Sequence, residues 1–329
     1  MPPRPTQIAR EHYALWMATF GRKMRFTPFE FAERQLLAET FEPDFRRSSY
    51  GPAVAAPGGG RIGGSQNWSG TYTEPGDGRT FSQVWGQFNV PFVKPPDGAV
   101  TPGPGTTKEY HCATWIGLDG QRRYFDSSLP QIGTDQYVTV DSTGTATPAT
   151  KAWVQWWSRE DDGSVNGIGP VPIPASCFPV EQGDQIGCIL HVVHPHHVNL
   201  TIINYTPRPP DEFPNVVVVC IKAPTASLPG GIKRQHSVTG ATAEWIMERP
   251  MDLLSDELQG FPNYGSANFV SCFAIESLDG HSPLVFRDLS SPKFIRMLDV
   301  DGETERSSYL SIPERVDDTS FTVTYGDPT

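Results

Sequence analysis

The sequence predicts an all-β protein, an antiparallel β-sandwich of two sheets. From residue 67 onward about eleven short runs alternate apolar and polar side chains, as half-buried strands do. The 31 Gly and 32 Pro residues, with only 19% charged residues, supply the turns that such short strands need. No helical run separates the strands, whereas parallel strands would need crossover helices. The runs cover residues 67–74, 82–91, 110–119, 135–140, 151–158, 184–193, 198–206, 215–221, 241–249, 266–275 and 319–326.

The N-terminal part has a different pattern. Residues 7–42 are predicted to be helical, because Thr27-Pro28-Phe29-Glu30 is a capping box with Pro at the first helical position. Residues 49–66 contain Pro-Gly-Gly-Gly and Gly-Gly, which is typical of a flexible linker. The chain therefore divides into a helical segment 1–48, this linker, and a β-domain over 67–329.

Charge and hydropathy exclude several partners. With 26 Lys and Arg against 37 Asp and Glu, the net charge is -11, so neither nucleic acid nor an anionic membrane is an expected partner. No apolar run approaches the roughly 20 residues of a membrane span. The N-terminus shows no apolar core of a secretory signal.

Cysteine and histidine patterns do not predict a metal site. Five Cys residues without a CxxC pair indicate neither a disulfide framework nor a zinc site; buried thiols are expected, and one bridge remains open. His194-Pro195-His196-His197 lies between two alternating runs, with no carboxylate or Cys at ligand spacing. This segment is predicted to be a hairpin turn, and no metal or cofactor is expected.

The run Ala241–Glu248 is the most informative strand. Its odd-numbered positions are apolar and suit a core, whereas the opposite face carries Glu244 and Glu248. Because unpaired carboxylates are costly to bury, that face is expected to be open to solvent or to line a groove. Such a strand is a candidate for acid–base chemistry.

Two further segments carry candidate side chains. In residues 110–120, a strand that runs into a turn, Trp115 and Asp119 share a face. Residues 129–133 contain a Pro and are predicted to form an irregular turn that presents Gln131. Taken singly, a Trp in a sandwich is usually core and a Gln in a turn is usually solvated.

A Trp-rich run forms the next strand. Within residues 151–157, Trp153, Gln155 and Trp157 alternate and therefore share one face. The ordinary interpretation is again a packed core strand.

In combination, these segments resemble the glutamic peptidases (eqolisins, peptidase family G1). The likeness covers roughly residues 67–275, and Ala-Glu-Trp-Ile-x-Glu is its most distinctive part. The resemblance implies a sandwich of the type found in concanavalin A-like lectins and glucanases. The matching motifs, in the family's order, are Asn67–Gly70, Trp115–Gly120, Gln131–Gly133, Ala152–Trp157 and Ala243–Glu248.

The resemblance also implies the site residues. The catalytic Gln and Glu of the family carry over to Gln131 and Glu248, and its flanking Trp and Asp to Trp115 and Asp119. Glutamate can act as the general base and acid on water, and a Gln amide can stabilise the oxyanion at any pH. Glu244, about 13 Å along the strand from Glu248, is expected to support the site or to bind substrate.

Three residues depart from the family pattern. Gln155 replaces a Glu, Trp157 replaces a Tyr, and Lys151 replaces an Asp. The expected substrate groove is lined by Trp115, Trp153 and Trp157, so these changes bear on substrate preference and pH optimum.

The sequence thus predicts a monomeric endopeptidase that hydrolyses unfolded polypeptides at acidic pH. The family resemblance suggests secretion, although no signal peptide is visible. Residues 1–48 are either a propeptide or a terminal helix that stays docked on the β-domain.

Two other functions share this fold class. A glycoside hydrolase would place Asp where Ile246 stands, and its retaining mechanism needs carboxylates about 5 Å apart, which a regular strand denies to Glu244 and Glu248. A lectin-like module would use exposed Trp rings as a sugar platform, without catalysis.

Overall fold

The computed structural model describes ten stretches of the chain, and every regular element within them is a strand. The prediction of an all-β, largely antiparallel protein is confirmed. Most of the predicted helical segment lies outside these stretches, and Arg25–Phe26 within it is a strand. The described residues are 25–26, 48–49, 64–121, 128–159, 165–208, 214–227, 233–252, 257–278, 284–300 and 307–326.

The strands are short and are numbered in chain order. They are β1 (Arg25–Phe26), β2 (Ser48–Ser49), β3 (Gly64–Ser65), β4 (Trp68–Thr73), β5 (Thr80–Asn89), β6 (Lys108–Leu118), β7 (Ser128–Val140), β8 (Ala146–Arg159), β9 (Val165–Ile173), β10 (Gln185–His194), β11 (His197–Asn204), β12 (Asn215–Lys222), β13 (Thr225–Ser227), β14 (Lys233–Gln235), β15 (Ala243–Glu248), β16 (Met251–Asp252), β17 (Ser266–Ser277), β18 (Val285–Arg287), β19 (Lys293–Val300), β20 (Ser307–Arg315) and β21 (Phe321–Tyr325).

The first sheet carries every candidate site strand. Its order is β19-β4-β15-β6-β7-β8-β9, and each neighbouring pair is antiparallel. The acidic strand β15 therefore lies between β4 and β6, far from both in sequence.

The second sheet runs β12-β11-β10-β5-β17-β21-β20 with antiparallel pairing, and β18 also pairs with β17. Strand β19 belongs to both sheets, because it pairs with β4 near its start and with β20 near its end. Two short pairs, β1 with β12 and β3 with β19, are parallel.

One face of the first sheet packs against the second through a large apolar cluster. Ala243, Trp245 and Met247 all lie in this cluster, which confirms the predicted apolar face of β15. The indole Nε1 of Trp245 donates to the backbone oxygen of Trp85 on β5, at 2.7 Å. Close packing of apolar side chains from both sheets is the main source of stability here.

The opposite face of the first sheet carries a smaller apolar cluster, and the candidate residues lie among its members. Alternation along each strand sends one set of side chains to the large cluster and the other set to this one. The smaller cluster comprises Trp68, Ala113, Trp115, Leu129, Trp153, Trp157, Ile246 and Ile295.

Two predictions about elements are corrected. Residues 129–133 are part of the long strand β7 rather than an irregular turn. Pro130 pairs with Trp156 of β8 and lies just beyond the last residues paired with β6, Gly117 and Gln131, so it sits at the end of one ladder. In the C-terminal part only 319–326 was predicted as a strand, whereas β18, β19 and β20 precede it.

The prediction of buried thiols holds in part, because Cys177 is half-buried and Cys220 is exposed, and the predicted hairpin is confirmed. All five Cys are free thiols, and Cys112, Cys188 and Cys272 are buried. The turn between β10 and β11 is the predicted hairpin at Pro195 and His196. Within the described stretches, no group of three or more His, Cys, Asp or Glu side chains is arranged to hold a metal ion. No helix in those stretches has the length and hydropathy to cross a membrane.

Candidate active site

Strand register places Gln131 and Glu248 on the same face of the first sheet. Glu248 pairs with Ala113 of β6, and Gln131 pairs with Gly117 four residues further along β6. One strand therefore separates them, with Trp115 between the two positions. On a flat sheet this offset would be about 10 Å across the strands and about 13 Å along them.

Glu248 is fully buried and accepts two hydrogen bonds. The indole Nε1 of Trp115 donates to Oε2 at 2.8 Å, and Nδ2 of Asn67 donates to Oε1 at 3.3 Å. The Trp68 ring meets the Trp115 ring edge-on, 5.0 Å between centroids, and so helps to orient the indole. Donors to a carboxylate favour its ionised form, so this setting suits a base.

Gln131 is also fully buried and is oriented by a second amide. Its Nε2 donates to Oε1 of Gln155 on β8 at 3.1 Å, and the two residues are direct cross-strand partners. The direction of the Gln131 amide is thereby fixed. Neither side chain titrates, so this arrangement does not depend on pH.

Glu244 lies on the same face of β15, four residues before Glu248. It pairs with Gly117, in the same cross-strand row as Gln131, and accepts a hydrogen bond from the Gly120 amide at 3.1 Å. Burial, aided by the charge of Asp119, raises the pKa of Glu244 well above 4.5. Glu244 is therefore a neutral acid at low pH.

This face was expected to be open to solvent or to line a groove, and the first alternative is wrong for both acids. Glu244 and Glu248 are each 0% exposed, as is Gln131. Hydrogen bonds offset the cost of burying Glu248, and protonation offsets it for Glu244. β15 has a paired strand on each side, β4 and β6.

Asp119 binds the loop at residues 239–241, and among the described residues it makes no contact with Glu248. It has a positive φ of 69° at the end of β6. Its carboxylate accepts from Thr239 N at 2.5 Å, Thr239 Oγ1 at 2.9 Å, Ala241 N at 2.7 Å and Gly240 N at 3.2 Å. These residues lead directly into β15, so Asp119 fixes the entry of the strand that carries both acids.

The Trp-rich strand does not offer an open aromatic surface. Trp153 and Trp157 share a face with Gln155, as predicted, but they are 0% and 3% exposed. Together with Trp115 they belong to the smaller apolar cluster. Their packing leaves them no exposed ring faces for a sugar platform of the lectin type.

Three polar residues at this site were not predicted from the sequence as site residues. Asn67 was recognised only as part of a matching motif, and it lies 181 residues before Glu248 in the sequence, to which it donates a hydrogen bond. Asp135 pairs with Ala113, in the same cross-strand row as Glu248. His111 lies two residues before Ala113 on β6. Alternation along β6 and β7 could have placed His111 and Asp135 on this face once β7 was recognised at full length.

Comparisons with known proteins identify the family of this chain. A structure of scytalido-glutamic peptidase with a peptide-based transition-state analogue matches with 18% identity, covers 79% of this chain and 98% of that chain, and has a TM-score of 0.49. SCP-B, an eqolisin in complex with the tripeptide Ala-Ile-His, matches with the same identity and coverage and a TM-score of 0.48. No protein with a curated description matches the sequence. Residues 66–325 match the sequence model of the Peptidase A4 family, so the chain belongs to that family, the glutamic peptidases.

Proposed function

We propose that Glu248 and Gln131 form the catalytic dyad of this glutamic endopeptidase, and that it acts at acidic pH. The observation that carries the assignment is the buried carboxylate of Glu248 held by Trp115 Nε1 at 2.8 Å. A buried acid with oriented hydrogen-bond donors is a candidate general base.

The chemistry needs a base, an oxyanion donor and an acid. Glu248 takes a proton from a water molecule, whose oxygen attacks the scissile carbonyl carbon. The amide of Gln131 donates to the oxyanion of the tetrahedral intermediate. Glu248 then returns its proton to the amine nitrogen as the C–N bond breaks, which yields a carboxylic acid and a free amine.

Electrostatics favour Glu248 over Glu244 as the base. Glu248 accepts two hydrogen bonds that favour its charge, whereas burial raises the pKa of Glu244. A residue that stays protonated at acidic pH cannot take a proton from water there. We assign Glu244 a supporting role, through its bond to the Gly120 amide.

The gap between the dyad residues is proposed to hold the reacting groups. Neighbouring strands in a sheet are rotated by about 20–25°, so β15 and β7, two strands apart, differ by about 40–50°. Because Glu248 and Gln131 lie at opposite ends of a diagonal across these strands, the twist brings their side chains closer together than in a flat sheet. A water molecule and the scissile carbonyl would then lie above Trp115.

Three variants test the dyad: Gln131→Ala, Glu248→Gln and, as a control, Glu314→Gln at an exposed position. Denatured casein is digested at pH 2–8, and folding is followed by circular dichroism. We expect folded but inactive Q131A and E248Q, and wild-type activity for E314Q. Activity that survives in E248Q but is lost in Glu244→Gln would reassign the base to Glu244 and overturn the proposal.

The finer architecture is also part of the proposal. We interpret the two sheets as a sandwich of the concanavalin A type that acts as a monomer on extended, unfolded polypeptides. The substrate would cross the face that carries Trp115, Trp153 and Trp157, with Asp119 and Gln155 in supporting roles. Since the dyad is buried, substrate must first displace whatever covers it.

Residues 1–48 are a candidate for that cover, that is, a propeptide. Ser48–Ser49 pairs with Met251–Asp252, which begins three residues after Glu248. Incubation at pH 3 followed by N-terminal sequencing should reveal cleavage within 49–66 in the wild type but not in E248Q. An intact linker in active enzyme would instead support a terminal segment that stays docked.

A further inference from the structure

A histidine absent from the matching motifs lies beside the candidate base. Glu248 pairs with Ala113 of β6, and His111 lies two residues away on the same face of that strand. Diagonal neighbours of this kind have Cα atoms about 7–8 Å apart. His111 is only 6% exposed, so its charge is not screened by bulk water.

The contacts of His111 require a charged ring. Nδ1 lies 3.3 Å from Oδ2 of Asp135, and Nε2 lies 3.3 Å from Oε2 of Glu109. A neutral imidazole has one N–H, whereas two carboxylate acceptors call for N–H on both nitrogens, which is the imidazolium form. Burial by itself would lower the pKa of His111, but Asp135 and Glu109 raise it to about 9.

Packing fixes the ring in place. His111 stacks on Tyr137 with 5.1 Å between centroids and an interplanar angle of 13°. Lys151 lies over the same tyrosine ring, 5.1 Å from its centroid. The outer oxygen of Glu109 accepts from Thr139 Oγ1 at 3.0 Å.

The charges around Glu248 explain why this cation matters. Asp135 and Glu248 both pair with Ala113, so two buried acids flank one small residue. On its other side Glu248 meets Asn67 and Trp68, which are neutral. Arg249, the next residue, donates to the Gln259 carbonyl and faces Asp299. The acids Glu244 and Asp119 lie towards the other end of β15. Two lysines share this face at a greater distance: Lys151 of β8 pairs with Asp135, three strands from Glu248, and Lys293 of β19 pairs with Tyr72, in the row of Glu244. His111 lies on the strand next to Glu248 and is the cation nearest to it along the sheet.

We propose that His111 is a positioning residue that keeps Glu248 ionised at low pH and thereby sets the acidic limit of activity. The proposal rests on the role of Glu248 as the base. A cation near a carboxylate favours its charged form, and the pairing with Asp135 also removes a like charge from the same row. Loss of the cation would make Glu248 take up its proton at higher pH.

The test compares His111→Gln with His111→Lys, which keeps a positive charge, and with His191→Gln on the second sheet as a control. The readout is kcat/KM for a peptide substrate from pH 2 to 6. In the pH profile of kcat/KM, we expect the acidic limb of H111Q, where activity falls with falling pH, to move to higher pH by about 0.5–1 unit. The maximal kcat/KM should be retained. H111K and H191Q should keep the wild-type limb.

Two results separate the possible failures. An unchanged acidic limb in H111Q, with E248Q inactive, refutes the role of His111 and leaves the dyad intact. Activity in E248Q refutes the dyad and this inference together. Should H111Q not fold, NMR titration of the wild-type histidines decides: a His111 ring that loses its proton near pH 6.5 refutes the proposal, and one that stays protonated above pH 8 supports it.

Discussion

Trp115 is the residue on which the chemistry of Glu248 depends most directly. Trp115 lies on the strand between the two residues of the proposed dyad, and its indole donates a hydrogen bond to one carboxylate oxygen of Glu248. The second oxygen is held by Asn67 from a different part of the chain. A carboxylate held at both oxygens has a fixed orientation as well as a favoured charge.

Replacing Trp115 by Phe should therefore weaken catalysis. A hydrogen bond to a charged group contributes about 1.5–3 kcal/mol, so we expect kcat/KM to fall about 10- to 100-fold. Trp156→Phe, which removes a similar volume from the large cluster on the other face, is the control. If kcat/KM per folded molecule fell equally in both variants, the hydrogen bond from Trp115 to Glu248 would not be the cause of the loss.

Gln155 gives a second prediction at this scale. Gln155→Ala removes the acceptor that orients Gln131, and kcat should drop by about tenfold with a smaller change in KM. Gln155→Glu keeps an acceptor and should retain most activity. Because it adds a negative charge beside the dyad, its acidic limb should move to higher pH. A pH profile of Q155E identical to wild type would contradict this.

Sequence patterns predicted which residues share a face but not what each one contacts. Alternation correctly grouped Trp153 with Gln155 and Trp157, and separated Glu248 from Met247. It could not predict that Asn67 meets Glu248, because that contact depends on the pairing of β4 with β15 across most of the chain.

At the scale of elements, the turn after β6 is tied to the entrance of β15. Four hydrogen bonds converge on Asp119 from residues 239–241, and the chain then continues straight into the acidic strand. The position of Glu244 and Glu248 is thereby coupled to a buried carboxylate more than a hundred residues away.

Asp119→Asn should destabilise the protein and lower activity. An amide offers one oxygen acceptor in place of two, so buried N–H groups of the loop lose partners at a cost of about 2–4 kcal/mol. Asp141→Asn is a matched control, since Asp141 also accepts from a following turn but is not buried. Urea unfolding should show a much larger loss for D119N, and comparable losses would count against a special role for this loop.

Strand boundaries were less predictable than strand existence. Pro130 suggested a turn, yet β7 tolerates it because pairing with β6 stops at Gln131. Strands β19 and β20 escaped prediction because their sequences do not alternate cleanly, and β19 in particular changes partners from β4 to β20 along its length. Tertiary pairing, not local propensity, decides such segments.

For the whole molecule, three buried groups make stability depend on pH in the same direction. The pKa values of Glu244 and Asp119 are raised mainly by burial, and that of His111 is raised to about 9 by its two carboxylates. Each group binds its proton more tightly in the folded state, so its contribution is complete below its unfolded pKa and is lost as pH rises through its folded pKa. These three groups therefore favour the folded state in acid, whereas Glu109, whose pKa is lowered by its hydrogen bond from His111, contributes above its ordinary range and loses that contribution as pH falls.

Glu244→Gln tests this directly, because Gln is an uncharged mimic of the protonated acid. We expect the melting temperature of wild type to fall as pH rises above about 4.5, and the fall to be smaller in E244Q. Glu314→Gln, at an exposed site, should follow the wild-type curve. A flat wild-type profile between pH 4 and 8 would refute the assigned protonation of Glu244.

The insertion of β15 between β4 and β6 has a consequence for biosynthesis. A ribosome must complete about three quarters of the polypeptide before β15, the strand that bears Glu248, can pair with β4 and β6. The other edge of β4 stays unpaired until β19 has also been synthesised. Such distant pairings form late and slowly. An unfinished nascent chain thus has no assembled catalytic centre, and hydrolytic capacity arises only once synthesis of the β-domain is nearly complete.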